Sequence, residues 1–286
     1  MNTRRALLAA LILLTTILAC AVPGLPAASP PAPIASPLGT PDTRLDIMVA
    51  ETVSAALAQT QQAVPTPTLP PTATLEPTAS PTPEADTSGS ALTEMEDGST
   101  LFSDFNAGYE VNVPAGWLAV RINQQEYLDA WLLSEFSNPA MQRSLSSIEN
   151  LNPNELRLYA VDLQADHART GFVTNINFIW YEQDDMSLED DTDLLAVSAA
   201  LPDALPGLEL LTTELSTNAN GLPIGINTSR TPATTLDGVN IVIFQKQVFI
   251  KVRAGTLTIT LSTTEELKDT ILPAFDAMIE FIKVSD

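Results

Sequence analysis

Proline is distributed very unevenly along this chain of 286 residues, and its distribution limits where a fold can form. Of the 22 prolines, 14 fall between Pro23 and Pro83. Because proline lacks a backbone N–H and has a fixed φ, a segment this rich in it cannot build helices or sheet ladders around a core. We therefore predict a disordered Pro/Thr-rich spacer over residues 20–100 and a globular domain over residues 101–286.

The spacer contains two kinds of sequence. The stretch "PTPTLPPTATLEPTASPTP" at residues 65–83 is typical of extended polyproline-type chain, which at ~3.1 Å per residue would reach on the order of 60 Å. A solvated stalk and a stalk with O-linked sugars on its threonines are both open. Around residues 44–61, apolar residues recur at helical spacing and predict a short amphipathic helix. Self-association of this helix and contact with the membrane or the domain are alternatives.

The N-terminus has the charge and hydropathy pattern of a secretory signal. Arg4 and Arg5 precede the uncharged run "ALLAALILLTTILA", which is shorter than the roughly 20 apolar residues of a spanning helix. The run ends in "ILAC" at residues 17–20, and this cysteine is the only one in the chain. The motif resembles the bacterial lipobox, which implies that residues 1–19 are a lipoprotein signal peptide and that Cys20 is lipidated.

Lipidation of Cys20 would explain why a single thiol is kept. Two acyl chains anchor a protein stably, at ~0.8 kcal/mol per buried methylene, and an acylated cysteine is not available for a disulfide, a metal or nucleophilic attack. This interpretation predicts a chain anchored by lipid on the extracytoplasmic side of the cell membrane. The alternatives are a short membrane anchor, and an ordinary signal peptide that is cleaved near Ala19 or Ala21 with the cysteine incidental.

The chain is strongly acidic, with a formal net charge of -22. Removal of residues 1–19 would make the mature chain more negative, because that segment carries Arg4 and Arg5 and no acidic residue. Such a charge speaks against nucleic acid as a partner and against docking on anionic lipid through basic patches.

Alternating apolar residues predict strands along most of residues 101–286. The segments are "LFSDF", "YEVNV", "LRLYAVDL", "GFVTNINFIWYE", "LELLTTEL", "LPIGINTS", "VNIVIFQKQVFIKV" and "TLTITLS". Short turns such as "NANG" and "LDG" separate several of them and favour hairpins. Strands that run hairpin to hairpin, with helices inserted early, midway and last, predict an α+β fold in which helices cover an antiparallel β-sheet.

Capping boxes predict where three of the helices begin. The N-cap residues would be Asn123, Ser187 and Thr263, each followed three residues later by an acidic side chain. The first helix would carry one apolar stripe until "NP" at residues 138–139 stops or redirects it, and a further helix is predicted near residues 141–148. The stripe consists of Tyr127, Leu128, Trp131, Leu132 and Phe136.

The order of these elements in the domain resembles that of a known family. The order of "YEVNVPAGW", a strand that leads into the "SLED" helix, the "LDG" turn and a closing "PAFDAMIEFI" helix is similar to the PsbP-like fold. That fold is shared by an extrinsic photosystem II subunit, a Ran-binding nuclear transport factor and many bacterial lipoproteins. Residues 124–155 depart from it. The resemblance implies a binding or assembly role and no catalytic residue. The best-matching positions are Tyr109, Val113, Pro114, Gly116 and Trp117.

Candidates for chemistry are few. His167, the only histidine, lies in "QADHARTG" between two predicted strands, and we expect it to be an exposed loop residue. The sequence contains no "G-x-S-x-G" elbow and no glycine-rich phosphate loop. We therefore predict no catalytic residue and no cofactor.

An acidic run follows one of the predicted strands. Its carboxylates suit the N-terminal dipole of a helix, and weak calcium binding is the alternative, although no glycine has the spacing of an EF-hand. No metal ligand is assigned. The acidic run consists of Glu182, Asp184, Asp185, Glu189, Asp190, Asp191 and Asp193.

Three classes of function remain open. The first is a noncatalytic, tethered binding or assembly module of the cell envelope, with a monomeric domain and an envelope protein as partner. The second is a carrier of a small apolar ligand or lipid in a pocket lined by the three tryptophans (Trp117, Trp131 and Trp180) and the nine phenylalanines, although such aromatic residues are more often core residues. The third is a hydrolase without a recognisable signature.

Overall fold

The structure is a computed structural model that describes residues 21–22 and 89–285. The predicted signal peptide, Cys20 and the predicted helix near residues 44–61 lie outside the described residues. Within them, the chain forms two antiparallel sheets with α-helices packed on them, which confirms the predicted α+β class.

The larger sheet has eight strands, and every neighbouring pair in it is antiparallel. Its main path runs through β5 (Trp117–Val120), β6 (Leu156–Asp162), β7 (Asn175–Tyr181), β11 (Thr256–Thr264), β10 (Asn240–Lys251) and β9 (Pro223–Thr235). Two further strands pair with β9, namely β8 (Glu209–Thr217) and the short β1 (Ala21–Val22). The predicted strands therefore all belong to sheets, and the "LDG" turn joins the two longest of them.

The smaller sheet has four strands, in the order β12 (Lys283–Val284), β4 (Tyr109–Val113), β3 (Thr100–Asp104) and β2 (Ser90–Glu94). The β3–β4 hairpin is the one predicted from "LFSDF" and "YEVNV", and Tyr109, Val111 and Val113 all point into the core as their alternation indicates. The sheet starts at Ser90, before the predicted domain start at residue 101.

The helices of the described residues are short or of moderate length. They are α1 (Gln125–Ala130), α2 (Pro139–Ser146), α3 (Thr192–Ala204) and α4 (Lys268–Glu280), with 3₁₀ turns at Ser134–Ser137 and Ala165–Ala168. A search of the described residues finds no helix with both the length and the apolar character that a membrane crossing requires.

The predicted capping boxes are wrong, because the side chains concerned have other partners. Asn123 lies outside α1 with a φ of 63°, and Glu126 accepts a hydrogen bond from Arg121 Nε at 2.5 Å. Thr263 stays within β11, where its hydroxyl pairs with that of Thr174.

The third predicted box also fails. Ser187 lies before a stretch of irregular backbone, and α3 starts only at Thr192. The carboxylate of Asp190 accepts from the backbone N–H of Thr192 instead of reaching back to Ser187. A local turn therefore replaces the first turn of the predicted helix.

The predicted apolar stripe of the first helix is also wrong, because α1 has only six residues. Tyr127 and Phe136 are buried, whereas Leu128, Trp131 and Leu132 are exposed. The "NP" pair does redirect the chain, since the side chain of Asn138 caps α2 by accepting from the N–H of Ala140 at 2.9 Å.

One face of the larger sheet, which we call the apolar face, holds the main core. Side chains such as Leu158, Phe178 and Ile259 form a continuous cluster with the smaller sheet and with Phe275 of α4. Strands β6, β7, β10 and β11 each contribute alternate apolar residues to this cluster. It is the largest apolar cluster of the described domain.

A buried ion pair joins the two sheets within this core. Arg157 Nε lies 2.6 Å from Asp104 Oδ2, and both side chains are almost fully buried. The guanidinium of Arg157 also lies 5.7 Å from the ring centroid of Trp180. Full pairing of both charges makes their burial tolerable.

The opposite face of the larger sheet, which we call the polar face, is covered differently. Helices α1 and α2 cover β5, β6 and β7 with one apolar cluster, and α3 covers β9 and β10 with a separate one. Gly225 permits the close approach of α3, because a Cβ there would lie 3.1 Å from Leu194 Cδ1. The strands between the two clusters carry polar residues on this face.

Candidate binding site

Two rows of polar side chains cross the centre of the polar face. Directly paired residues of an antiparallel sheet point to the same side, so the register defines each row. The first row is Ser229, Gln245, Ser262 and Asn175, and the second is Asn227, Gln247, Thr260 and Asn177. We call these eight residues the two polar rows. Every one of them is at most 3% exposed.

The strands that carry the polar rows alternate regularly between apolar and polar residues. Val248, Ile259 and Phe178 point into the core on the apolar face, which places Gln247, Thr260 and their neighbours on the other side. In most antiparallel sheets with this pattern the polar side faces water. Here it is buried, so its side chains need hydrogen-bond partners.

Some atoms of the polar rows have such partners. Gln245 Nε2 donates to Ser262 Oγ at 2.9 Å, and Asn175 Nδ2 donates to the carbonyl of Val173 at 3.0 Å. Asn227 Oδ1 accepts from Ser198 Oγ of α3 at 2.8 Å. These bonds fix two side chains in the middle of the first row and one side chain at an end of each row.

Other atoms of the rows are buried without any hydrogen-bond partner in the described part of the chain. Leaving a buried polar atom unpaired costs about 1–3 kcal/mol, and native proteins contain few of them. Most of the buried polar atoms without a partner in the described residues lie on this one face. The atoms are Asn175 Oδ1, Asn177 Oδ1 and Nδ2, Asn227 Nδ2, Gln247 Nε2 and Thr260 Oγ1, with Thr231 Oγ1 and Thr264 Oγ1 nearby on the same face.

A pocket of about 540 Å³ opens at one end of the polar face. Thr264 lines it and is paired in register with Ile243, one step along β11 from Ser262 of the first polar row. Same-face residues of a strand are about 6.8 Å apart, so the pocket adjoins the rows. Its volume is in the range of small-molecule sites, which is roughly 300–1,000 Å³. The lining also includes Thr170, Ala233, Ile241, Glu265 and Glu266.

His167 is not the exposed loop residue that we expected. Its side chain is 12% exposed, and Nδ1 lies 2.5 Å from Oδ2 of Asp162, which is almost completely buried. The 3₁₀ turn Ala165–Ala168 folds back on the end of β6 and brings the ring to this carboxylate. The sequence did contain one indication of this pair, because the carboxylate of Asp162 lies only five residues before His167.

Several carboxylates of the acidic run have partners within the domain. Asp185 lies 2.9 Å from the ammonium of Lys251, and Asp193 accepts from the N–H of Ser187. Hydrogen bonds from the backbone and side chain of Thr192 lower the pKa of Asp190. Across residues 21–22 and 89–285, no three potential metal-ligating side chains come together.

The tryptophans occupy two environments. Trp117 and Trp180 belong to the core on the apolar face, and Trp180 Nε1 donates to the carbonyl of Ala254. Trp131 was expected in the apolar stripe but is 38% exposed beyond the end of α1. The residues that line the described pocket include no tryptophan.

Sequence reasoning missed the polar rows. The alternation in "TLTITLS" and "IVIFQKQVF" was visible, but it predicts only that one side of each strand is polar. The coincidence of Asn, Gln, Thr and Ser residues across four strands depends on the register, which the sequence does not display.

Comparison with known proteins gives matches only among solved structures. No family model and no curated protein matches the chain. The chain is similar to the solution structure of cyanobacterial PsbP (CyanoP) from Synechocystis sp. PCC 6803, with a TM-score of 0.40 and 19% identity over 67% of this chain and 95% of that one. It is also similar to LpqN of Mycobacterium tuberculosis, which is involved in cell envelope biogenesis, with a TM-score of 0.36 and 12% identity over 69% of this chain and 91% of that one. The first of these belongs to the family that the sequence resembles. At TM-scores this low, the similarity supports no argument about function.

Proposed function

We propose that this chain is a noncatalytic binding module of the cell envelope, held on the extracytoplasmic side of the membrane by a lipid on Cys20. The observation that carries the binding role is a pocket of about 540 Å³ whose lining holds buried polar atoms without a partner among the described residues, namely Thr170 Oγ1, Thr264 Oγ1 and Glu265 Oε2. A pocket of this size with a few fixed polar groups is typical of small-molecule sites, which use such groups to orient a ligand.

The composition of the polar rows favours binding over catalysis. Their side chains are amides and hydroxyls, and none of these groups is a general base near neutral pH. Asp162 could orient His167 as a base, but among the described residues no hydroxyl or other nucleophile hydrogen-bonds the His167 ring. Activation of a nucleophile requires a base that is within hydrogen-bond reach of it.

The N-terminal sequence supports the tethered form of this module. "ILAC" places Cys20 directly after the uncharged run, and the Pro/Thr-rich segment at residues 65–83 would separate the domain from its anchor. A tether raises the effective concentration of a domain against its membrane neighbours, so modest affinities become useful.

The polar groups of this pocket also bear on the alternative of a carrier for an apolar ligand. A hydrocarbon seated in the pocket would leave the hydroxyls of Thr170 and Thr264 unpaired, which is unfavourable. The tryptophans expected to line an apolar pocket are instead in the core or exposed. We therefore rank a polar ligand above an apolar one.

The test of the anchored form compares the wild-type chain with Cys20→Ser in cells fed radioactive palmitate. We expect label in the wild-type protein and its recovery in the membrane fraction, with both lost in the variant. Asn2→Ala, within the predicted signal peptide, is the matched control and should behave as wild type. An unlabelled wild-type protein, or equal labelling of Cys20→Ser, would refute the lipid anchor.

A further inference from the structure

We propose that the end of the larger sheet that carries the "LDG" turn faces the membrane, and that this turn, at residues 235–239, contacts the surface of a bilayer of zwitterionic or uncharged lipids. This inference rests on the lipid anchor of the proposed function and adds which surface of the domain the anchor holds against the membrane. It follows from the place where the N-terminal segment meets the sheet, from the apolar side chains exposed there and from the charges around them.

The N-terminal segment meets the sheet beside the "LDG" turn. Ala21 is paired in register with Thr235, and Val22 with Thr234, at the end of β9 that leads into the turn. Because the pairing is antiparallel, the chain before Ala21 leaves β9 on the side of the turn. Cys20 lies outside the described residues but is bonded to Ala21, so ladder and chain spacings place its Cα within roughly 10 Å of the Cα of Thr235. A lipid on Cys20 would therefore enter the bilayer next to this turn.

Three large apolar side chains are exposed at the same end of the sheet. Leu236 is 59% exposed, Val239 is 41% exposed and Val242 is 36% exposed. They lie in the turn and in the first residues of β10, so they are close to one another in the chain. Single exposed apolar side chains are ordinary, whereas several that stand together mark a surface for protein or lipid. The position of the anchor favours lipid, because it holds the turn at the bilayer without any further partner.

The backbone of the turn is already hydrogen-bonded within the turn. The N–H of Thr235 donates to the carbonyl of Val239, and the N–H of Gly238 donates to the carbonyl of Thr235, both at 2.9 Å. Gly238 has a φ of 80°, a conformation that glycine adopts without strain and that closes the turn. Unsatisfied backbone groups are costly in an apolar environment. The turn can therefore bring Leu236 and Val239 to lipid with these backbone groups already paired.

Neighbouring segments hold the turn in place. The carboxylate of Asp237 lies 2.8 Å from the guanidinium of Arg143 in α2. A Cβ on Gly171 would lie 2.5 Å from Oδ2 of Asp237, so the turn packs closely on the segment that precedes β7. The exposed apolar side chains are thus presented on a fixed turn and not on a loose loop.

The charges at this end favour zwitterionic or uncharged lipids over anionic ones. Asp237 is the only ionisable residue at positions 235–239, and its charge is paired with that of Arg143. Glu265 and Glu266 line the pocket together with Thr234, and Glu265 is paired with Lys268. The chain as a whole has a formal net charge of -22. An anionic surface would therefore repel this end of the domain.

This placement distinguishes two arrangements of the tethered domain. While β1 is paired with β9, the anchor and the turn stay together, and the chain between Val22 and Gly89 begins and ends on the domain. Only when the two residues of β1 leave β9 can the Pro/Thr-rich segment act as a stalk between the anchor and the domain. The structure has the paired arrangement, which keeps the domain on the membrane.

The experiment places a fluorescent label on the lipidated full-length chain in phosphatidylcholine liposomes. Cys20 is the only cysteine, and when it is acylated it has no free thiol. In the variant Leu236→Cys, a thiol-reactive nitrobenzoxadiazole probe therefore labels the turn alone. The emission of this probe moves to shorter wavelength in an apolar environment, and lipids that carry a nitroxide quench it on contact.

Two matched controls carry the same probe elsewhere. Phe281→Cys labels a residue that is 67% exposed at the opposite end of the sheet, since the adjacent Ile282 accepts from Asn220, shortly before β9 begins. Leu132→Cys labels a residue that is 85% exposed, more than the other large apolar residues of the described chain. If apolar exposure alone determined contact with the bilayer, Leu132→Cys would give the largest signal.

We expect a shift to shorter wavelength in Leu236→Cys and stronger quenching by nitroxide lipid than in either control. Any other order of quenching, with the protein recovered on the liposomes, would overturn the inference. Replacing part of the phosphatidylcholine by anionic phosphatidylglycerol should not strengthen the quenching in Leu236→Cys. Stronger quenching on the anionic liposomes would overturn the choice of lipid while leaving the contact of the turn with the membrane.

The wild-type chain separates failure of this inference from failure of the anchor. Labelling of wild-type protein by the thiol-reactive probe would reveal a free thiol on Cys20, and the anchor and this inference would then fail together. An unlabelled wild-type chain that is recovered on liposomes, combined with an unshifted probe in Leu236→Cys, would leave the anchor intact and refute the membrane contact of the turn alone.

Discussion

The two faces of the larger sheet are formed by the same strands, but they differ in how their buried side chains are satisfied. On the apolar face, side chains such as Phe178 and Ile259 pack into one continuous core with the smaller sheet and α4. On the polar face, the neighbours of these residues, Asn177 and Thr260, are equally buried but keep hydrogen-bonding atoms that the described chain does not satisfy.

The two faces therefore contribute with opposite sign to the free energy of folding. Apolar burial on the first face supplies the favourable free energy of folding, at about 25 cal/mol per Å². Each unpaired polar atom on the second face opposes folding by about 1–3 kcal/mol. The same strands therefore combine a face that stabilises the fold with a face that contributes less to its stability.

The largest expected effect compares adjacent residues of β7. Phe178→Ala should lower the free energy of unfolding by about 3–5 kcal/mol, because it leaves a cavity in the core. Asn177→Ala, one residue earlier on the polar face, should cost clearly less, since it also removes two unpaired polar atoms. Equilibrium unfolding in urea measures both. Equal losses would mean that the two faces contribute alike to folding.

His167 provides an intermediate effect. His167→Ala should lower the free energy of unfolding by about 1–2 kcal/mol, because buried Asp162 loses a charge-assisted partner. Urea unfolding of the variant and of the wild type at neutral pH measures this loss. If the variant stays folded and a measured hydrolytic turnover disappears, the chain is an enzyme.

A smaller effect depends on alkaline pH. Burial, with a contribution from the Asp104 carboxylate, raises the pKa of Tyr109 well above 10.0, and Arg157 partly opposes the shift. Above about pH 10 the unfolded chain loses this proton while the folded chain keeps it, so stability is fully present at lower pH and falls as the pH rises. Tyr109→Phe should reduce this fall between about pH 9 and pH 11.

The control for that prediction is the stability at neutral pH. The Tyr109 hydroxyl has no hydrogen-bond partner in the part of the chain that the structure describes, so its removal should cost little there. Identical pH profiles for Tyr109→Phe and wild type would show that this phenol does not govern alkaline stability.

The sequence was sufficient for elements whose signal is local. Alternation located the strands around Phe178 and Val248, and the "NP" pair marked the start of α2. The predicted capping boxes do not form because their side chains hydrogen-bond other partners. Glu126 accepts from Arg121, and the hydroxyl of Thr263 pairs with that of Thr174. Thr174 comes from a distant segment and cannot be seen in the sequence around Thr263, whereas Arg121 lies only five residues before Glu126 and its competition could have been considered.

The candidate site was harder to predict for a related reason. Asn177, Thr260, Gln247 and Asn227 are far apart in the chain, and each is an ordinary polar residue in an alternating strand. Only the register brings them into one row, and only the helices on either side make their burial significant. Composition indicated only an acidic domain without a catalytic motif, and it contains no signal that neutral amides cluster in the fold.

The central claim, that the unpartnered side chains of the polar rows do not stabilise the fold, is tested most directly by one pair of variants in β11. Thr260→Val and Thr263→Val make the same change at fully buried positions on opposite faces, and only the Thr263 hydroxyl has a hydrogen-bond partner, Thr174, within the described structure. By urea unfolding without ligand, we expect Thr263→Val to lose about 1 kcal/mol and Thr260→Val to be as stable as wild type or more stable. A loss in Thr260→Val equal to or greater than that in Thr263→Val would contradict the claim.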